Sequence, residues 1–170
     1  MLSVEEVVEF LREHGLTLAT AESCTGGLIT SLIADVRGSG QVLDRGYIVY
    51  APQAKNECLG VSYETIEKYG LSSAMVAEEM ALGALRNSQA AIAVSNTGLA
   101  EAEGQAGGSV YFGWALRKGG REQVITEKVR FLESRNEVRE AAARYALAKV
   151  PIIVDFFGHK NPHADEPEGQ

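Results

Sequence analysis

Short apolar runs of strand length alternate with segments whose apolar residues recur at helical spacing, and this alternation confines the chain to an α/β architecture. Ser3 and Glu6 make a capping-box pattern ahead of Val4, Val7, Val8 and Leu11, so a first helix is predicted from there to Gly15. Leu16 to Ala21 reads as a buried strand, and Leu28, Ile29, Leu32 and Ile33 mark a second helix that runs to Gly38. A β-branched and aromatic strand is predicted from Val42 to Tyr50, with Gly46 expected to mark a bulge or turn. Three helices come next: Ala54 to Leu59, closed by Gly60; Ser62 to Tyr69; and a longer one from Ser72 to near Asn87. "AAIAVS" (90–95) is a further strand, and 96–108 reads as a loop. "SVYFGWAL" and "EQVITEKVRF" form two strands joined by the tight turn "RKGG", and an alanine-rich helix spans Glu137 to Val150. That order predicts a three-layer α/β/α sandwich with a mixed, mostly parallel sheet, in one domain over residues 1–157. Residues 158–170 are polar, acidic and proline-bearing, and read as a disordered tail.

Charge and cysteine content narrow the function. The net charge of −7 leaves no basic surplus to neutralise phosphates, which argues against nucleic acid as a partner. A small anionic ligand needs only a local basic group and stays open. Cys24 and Cys58 make neither a metal spacing nor a disulfide framework. The acidic start "MLSVEEVVEFLREHG" does not resemble a signal peptide, and no run reaches the roughly 18 apolar residues of a membrane span. The expectation is a cytoplasmic protein with reduced thiols and no membrane partner.

Chemistry concentrates in "TAESCTGG" (20–27), which leaves one apolar run and enters another. In an α/β sheet, loops at the carboxyl ends of parallel strands form the binding crevice. This stretch, the end of "YIVYAPQAK" and the segment "SNTGLAEAEG" each follow a predicted strand, so one pocket can collect all three. Ser23 has two readings there. It can cap the following helix, or it can act as a nucleophile if a base stands beside it. No histidine serves: His14 precedes the strand, and His159 and His163 lie in the tail. Lys55 follows a strand end and, if desolvated, can accept a proton; otherwise it is a solvated helix residue. Tyr50 could relay or orient. Cys24 is the rival nucleophile if a helix N-terminus lowers its pKa, and a small buried thiol if not. Thr25, Gly26 and Gly27 at a helix start could hold an anion through backbone amides.

Together these segments resemble the C-terminal domain of the competence/damage-inducible protein CinA, a family that includes stand-alone nicotinamide-nucleotide amidases. The matching pieces are "TLATAESCTGGLI", "DRGYIVYAPQAKNECLGVS", "EMALGAL", "AAIAVSNTG" and "SRNEVREAAARYAL". The resemblance runs from about residue 3 to about residue 150. It implies a three-layer α/β/α fold and hydrolysis of the carboxamide of nicotinamide mononucleotide to the carboxylate and ammonia, without metal or organic cofactor, in a homo-oligomer. It also implies that Ser23 is the nucleophile and Lys55 its base. Tyr50 and Thr25 would share the site, Thr97 and Gly98 would line it from the next loop, and Arg135 would face the substrate.

One segment departs from the family. Where relatives read "GIAGP", further glycines and "KPVG", this chain reads "GLAEAEGQAGGSVYF" (98–112) and brings in Glu101 and Glu103. Carboxylates repel the phosphate that glycine amides and a lysine would attract. The alternative reading is therefore a catalytically impaired or substrate-shifted paralogue that serves as a ligand-binding or regulatory module.

Overall fold

The computed structural model describes residues 1–100 and 107–158. The expected alternation takes the order α1 (Val4–Glu13), β1 (Leu18–Glu22), α2 (Leu28–Ala34), β2 (Leu43–Ile48), α3 (Pro52–Leu59), α4 (Tyr63–Tyr69) and α5 (Ala74–Arg86). It continues with β3 (Ile92–Gly98), β4 (Ser109–Lys118), β5 (Arg121–Arg130), α6 (Arg135–Ala148) and α7 (Val150–Phe156). The sheet order is β2-β1-β3-β4-β5. β1 is parallel to both β2 and β3, β4 is antiparallel to β3, and β5 is antiparallel to β4, so only β4 points the other way. The sheet is mixed and mostly parallel, as expected.

Apolar residues fill both faces of the sheet. On one face α1, α2, α6 and α7 pack with Leu18, Ile92, Val94, Phe112 and Trp114. On the other α3 and α5 pack with Ala19, Ala21, Ala93 and Ala115. β1 is buried along its whole length, so Leu18, Ala19 and Ala21 do not alternate with exposed positions, and even Thr20 and Glu22 are buried. The small alanines on the second face let α5 cross β1, β3, β4 and β5 closely. The indole of Trp114 donates to the carbonyl of Ala146 at 3.0 Å and so ties β4 to α6. In α1 the capping box forms as read: Glu6 N–H donates to Ser3 Oγ, and Ser3 N–H donates to the Glu6 carboxylate.

Three expectations change. First, β3 does not end at Ser95; Asn96, Thr97 and Gly98 stay in the sheet opposite Phe112, Tyr111 and Val110. Glycine and asparagine suggested a loop, but pairing with β4 outweighs their weak strand preference. Second, the alanine-rich helix ends at Ala148 rather than Val150, and Val150–Phe156 forms α7, because proline is well placed in a helix's first turn and Ile153 and Val154 have a core to enter. Third, the irregularity in β2 falls at Asp44 rather than Gly46, since Leu18 pairs with Leu43 while Ala19 pairs with Arg45. Gly46 has a different task. A Cβ there would stand 2.5 Å from Thr30 Oγ1 and 2.9 Å from Thr20 Oγ1. The expected tail beyond residue 158, and Glu101 and Glu103, lie outside the described residues.

Gly46→Ala is therefore expected to lower unfolding free energy by about 1–3 kcal/mol, the usual cost of overpacking. Urea denaturation checks this through the midpoint; an unchanged midpoint would show that the two threonines rotate away at no cost.

Candidate active site

β1, β2 and β3 run parallel, so their carboxyl ends open on one edge, where Glu22 pairs with Ile48 on one side and Asn96 on the other. Beyond Glu22 the chain turns sharply into α2. Gly26 and Gly27 supply the turn with φ of 59° and 99°, a region that other residues rarely enter. Ser23 is still anchored to the sheet, its amide donating to the Asn96 carbonyl at 3.2 Å.

Ser23 does not cap α2. Gly27 holds the cap position, and the capping oxygens come from Glu22, whose side chain has no exposed surface. Its Oε2 accepts from the amides of Gly27 and Ile29, each at 3.0 Å, and from the Thr25 hydroxyl at 2.7 Å. Its Oε1 accepts from the amide and hydroxyl of Thr30 at 2.9 and 2.8 Å. A buried carboxylate needs such donors, and a helix N-terminus supplies them with a favourable dipole.

The hydroxyl of Ser23 meets Lys55. Lys55 stands in the first half of α3, fully buried, with Nζ 2.9 Å from Ser23 Oγ, 2.8 Å from the carbonyl of Val49 and 2.9 Å from that of Tyr50. These three acceptors match the three N–H bonds of an ammonium. Among the described residues no carboxylate pairs with Lys55. Burial pulls its pKa down from the ordinary lysine value to about 8. In the neutral amine the two carbonyls can hold the two remaining N–H bonds, which aims the lone pair at Ser23 Oγ.

Cys24 behaves as the small buried thiol. Burial pushes its pKa up to about 11, and its Sγ donates to Asn96 Oδ1 at 3.3 Å. A thiol held in that way has little thiolate at neutral pH. Thr25 is buried as well: its hydroxyl donates to Glu22 and accepts from Asn96 Nδ2 at 2.7 Å. The Gly27 amide belongs to Glu22, and that of Gly26 to the carbonyl of Ser23. The Thr25 hydroxyl and the Gly26 and Gly27 amides are thus bonded within the chain, and the Glu22 carboxylate is the anion held at the start of α2.

The other expected site residues divide. Tyr50 reaches Lys55 only through its carbonyl, and its ring is about half exposed at 52%. Thr97 is buried, its hydroxyl donating to the Leu71 carbonyl at 3.0 Å. Gly98 packs against β4, where a Cβ would lie 2.5 Å from the carbonyl of Ser109. Arg135 is exposed in the first turn of α6. One turn on, Arg139 lies on the same helix face. Its Nε donates to the Cys24 carbonyl at 2.9 Å and an Nη to that of Thr25 at 3.1 Å. Glu22, Asn96 and Arg139 were not singled out from the sequence, yet they hold the Ser23 turn. Among the described residues no three His, Cys, Asp or Glu side chains gather as a metal site would require.

Comparisons with known proteins bear on the family and the fold. The family model described as the CinA C-terminal domain matches residues 2–153. A protein of Enterobacter agglomerans named nicotinamide-nucleotide amidohydrolase PncC is 43% identical over 150 residues, covering 86% of this chain and 89% of the relative. A putative competence-damage inducible protein of Caldicellulosiruptor saccharolyticus is 44% identical over 147 residues, covering 84% of this chain. The chain spans only 35% of that relative's length. The crystal structure of a CinA superfamily protein from Klebsiella pneumoniae 700603 superposes with a TM-score of 0.84 at 30% identity, over 90% of this chain and 96% of that one.

The lowered pKa of Lys55 has a consequence for stability. Between about pH 8 and pH 10.5 the unfolded chain keeps a proton at this lysine that the folded chain has released. Stability rises with pH where the unfolded state binds more protons. The unfolding free energy of the parent minus that of Lys55→Met should therefore be flat below about pH 8 and climb between pH 8 and 10.5. Urea titrations of both proteins over this range check it; a flat difference would mean that the lysine titrates normally.

Proposed function

The chain belongs to the CinA C-terminal domain family, and on that premise we propose that it hydrolyses the carboxamide of a nicotinamide nucleotide, with Ser23 as nucleophile and Lys55 as base. The observation that carries this reading is the 2.9 Å contact between Lys55 Nζ and Ser23 Oγ, made by a buried lysine with no carboxylate partner among the described residues. A serine hydroxyl needs an adjacent base, and a lysine serves as one only when burial lowers its pKa toward the working pH. The name carried by the Enterobacter agglomerans relative supports the substrate class.

The reaction follows from those two side chains. Neutral Lys55 takes the Ser23 proton as Oγ attacks the amide carbon, giving a tetrahedral oxyanion. The ammonium that results returns a proton to the leaving nitrogen, the C–N bond breaks, and ammonia departs from an ester on Ser23. Water then attacks the ester carbon while Lys55 accepts its proton. Breaking of the ester bond returns that proton to Ser23 and frees the carboxylic acid, which ionises to the carboxylate by releasing its proton to solvent. The exposed ring of Tyr50 and the exposed side chain of Ile48, both at the exit of β2, offer an apolar surface to an aromatic ring. Arg135, on the same helix face as Arg139, brings a cation near the site. We assign the activity to one unit over residues 1–157.

Purified protein is incubated with nicotinamide mononucleotide and, separately, with nicotinamide riboside, and ammonia is measured. Release should rise with pH through about 8 as Lys55 loses its proton. Ser23→Ala should lower it by roughly 10³-fold or more, as loss of a nucleophile does. Lys55→Arg should be as poor, because a guanidinium does not give up its proton. Cys24→Ala should retain most of the rate. Release from neither substrate, or loss only in the cysteine variant, would overturn the reading.

A further inference from the structure

We propose that the backbone amides of Cys24 and Thr25 receive the oxyanion formed during the reaction, and that Arg139 is the positioning residue that aims them. The inference rests on the Ser23–Lys55 reading above and concerns how the tetrahedral intermediate is held.

Three observations carry it. The first is direction. In a trans peptide the C=O and N–H point opposite ways. Arg139 draws the Cys24 carbonyl toward α6, with Nε at 2.9 Å, so the N–H of the same peptide, that of Thr25, points away from α6. Away from α6 lies the other helical layer, where Lys55 in α3 meets Ser23 Oγ. The carbonyl of Ser23 is likewise held, accepting from Gly26 N–H at 3.0 Å, which fixes the direction of the Cys24 amide.

The second is the lack of an oxygen acceptor among the described residues. Among the described residues, neither the Cys24 nor the Thr25 amide donates to a backbone or side-chain oxygen, although both residues are buried. The neighbouring amides of Ser23, Gly26 and Gly27 all have acceptors. Buried amides are nearly always paired; the Cys24 amide has only its own thiol beside it, so two successive amides without an oxygen acceptor next to Ser23 mark a place for an oxygen of the substrate.

The third is rigidity. Arg139 spans two carbonyls with one planar group, those of Cys24 and Thr25. Gly26 makes room for it, since a Cβ there would lie 3.2 Å from the guanidinium. Thr25 is fixed from the opposite side through Glu22 and Asn96. A cation on the carbonyl also polarises the peptide and strengthens its N–H as a donor. Donors fixed in advance stabilise an oxyanion without reorganising during the reaction.

The test uses the whole chain and ammonia release from nicotinamide mononucleotide, with Ser23→Ala run in parallel. If Ser23→Ala stays active, the serine reading fails and this inference falls with it. If it is inactive, Arg139 decides. Arg139→Lys keeps the charge but cannot bridge two carbonyls, and Arg139→Ala leaves space for a guanidinium. We expect kcat to fall roughly 10²-fold or more in both, as on losing oxyanion donors. KM and the pH midpoint of the rate should stay close to those of the parent. Methylguanidinium should restore part of kcat in Arg139→Ala. Thermal unfolding identifies a variant that does not fold; should Arg139→Ala be one, Arg139→Lys alone decides. Parental kcat in folded Arg139→Lys, or a loss confined to KM, would overturn the proposal.

Discussion

A carboxylate with no exposed surface, that of Glu22, sets the geometry on which the site depends. An ionised group buried alone would be prohibitively costly. Here it accepts from the amides of Gly27, Ile29 and Thr30 and from the hydroxyls of Thr25 and Thr30, all between 2.7 and 3.0 Å. Such charge-assisted bonds are roughly twice as strong as neutral ones, and the start of α2 adds its dipole. The backbone of the same residue accepts from the Val49 amide at 2.9 Å. Glu22 therefore fixes both the turn that carries Ser23 and the exit of β2 whose carbonyls hold Lys55. The arrangement also spends the α2 N-terminus internally, so an anionic ligand must be met elsewhere.

The juxtaposition of Ser23 and Lys55 was legible in outline because each segment leaves a strand run, while their pairing as nucleophile and base came only from the family resemblance. Thirty-two positions separate Ser23 from Lys55, but parallel neighbours bring successive strand exits to one edge, and the rule needs no side-chain detail. The supporting residues were not legible for the opposite reason. A glutamate at a strand end reads as solvated, an asparagine after "AVS" reads as the start of a loop, and an arginine in "EVREAAA" reads as an outer helix face. Each acquires its role only once a second element stands beside it. Gly46 illustrates the same limit. Its sequence context signals irregularity, whereas the reason for the glycine lies in Thr30, a residue of α2 that crosses over it.

The three-layer plan also separates two tasks that would conflict in one layer. The layer of α2 and α6 holds the Ser23 turn by many polar contacts: Glu22 to the start of α2, and Arg139 of α6 to the carbonyls of Cys24 and Thr25. The layer of α3 and α5 is apolar around Lys55, with Leu59, Val49 and Ala54 in its cluster. That apolar setting withholds water from the lysine and pulls its pKa toward 8. Had a carboxylate stood beside Lys55, the ammonium would be favoured. Polar rigidity on one side of β1 and desolvation on the other are thus complementary requirements. Ser23, at the tip of the strand between them, is where the two can act on one atom.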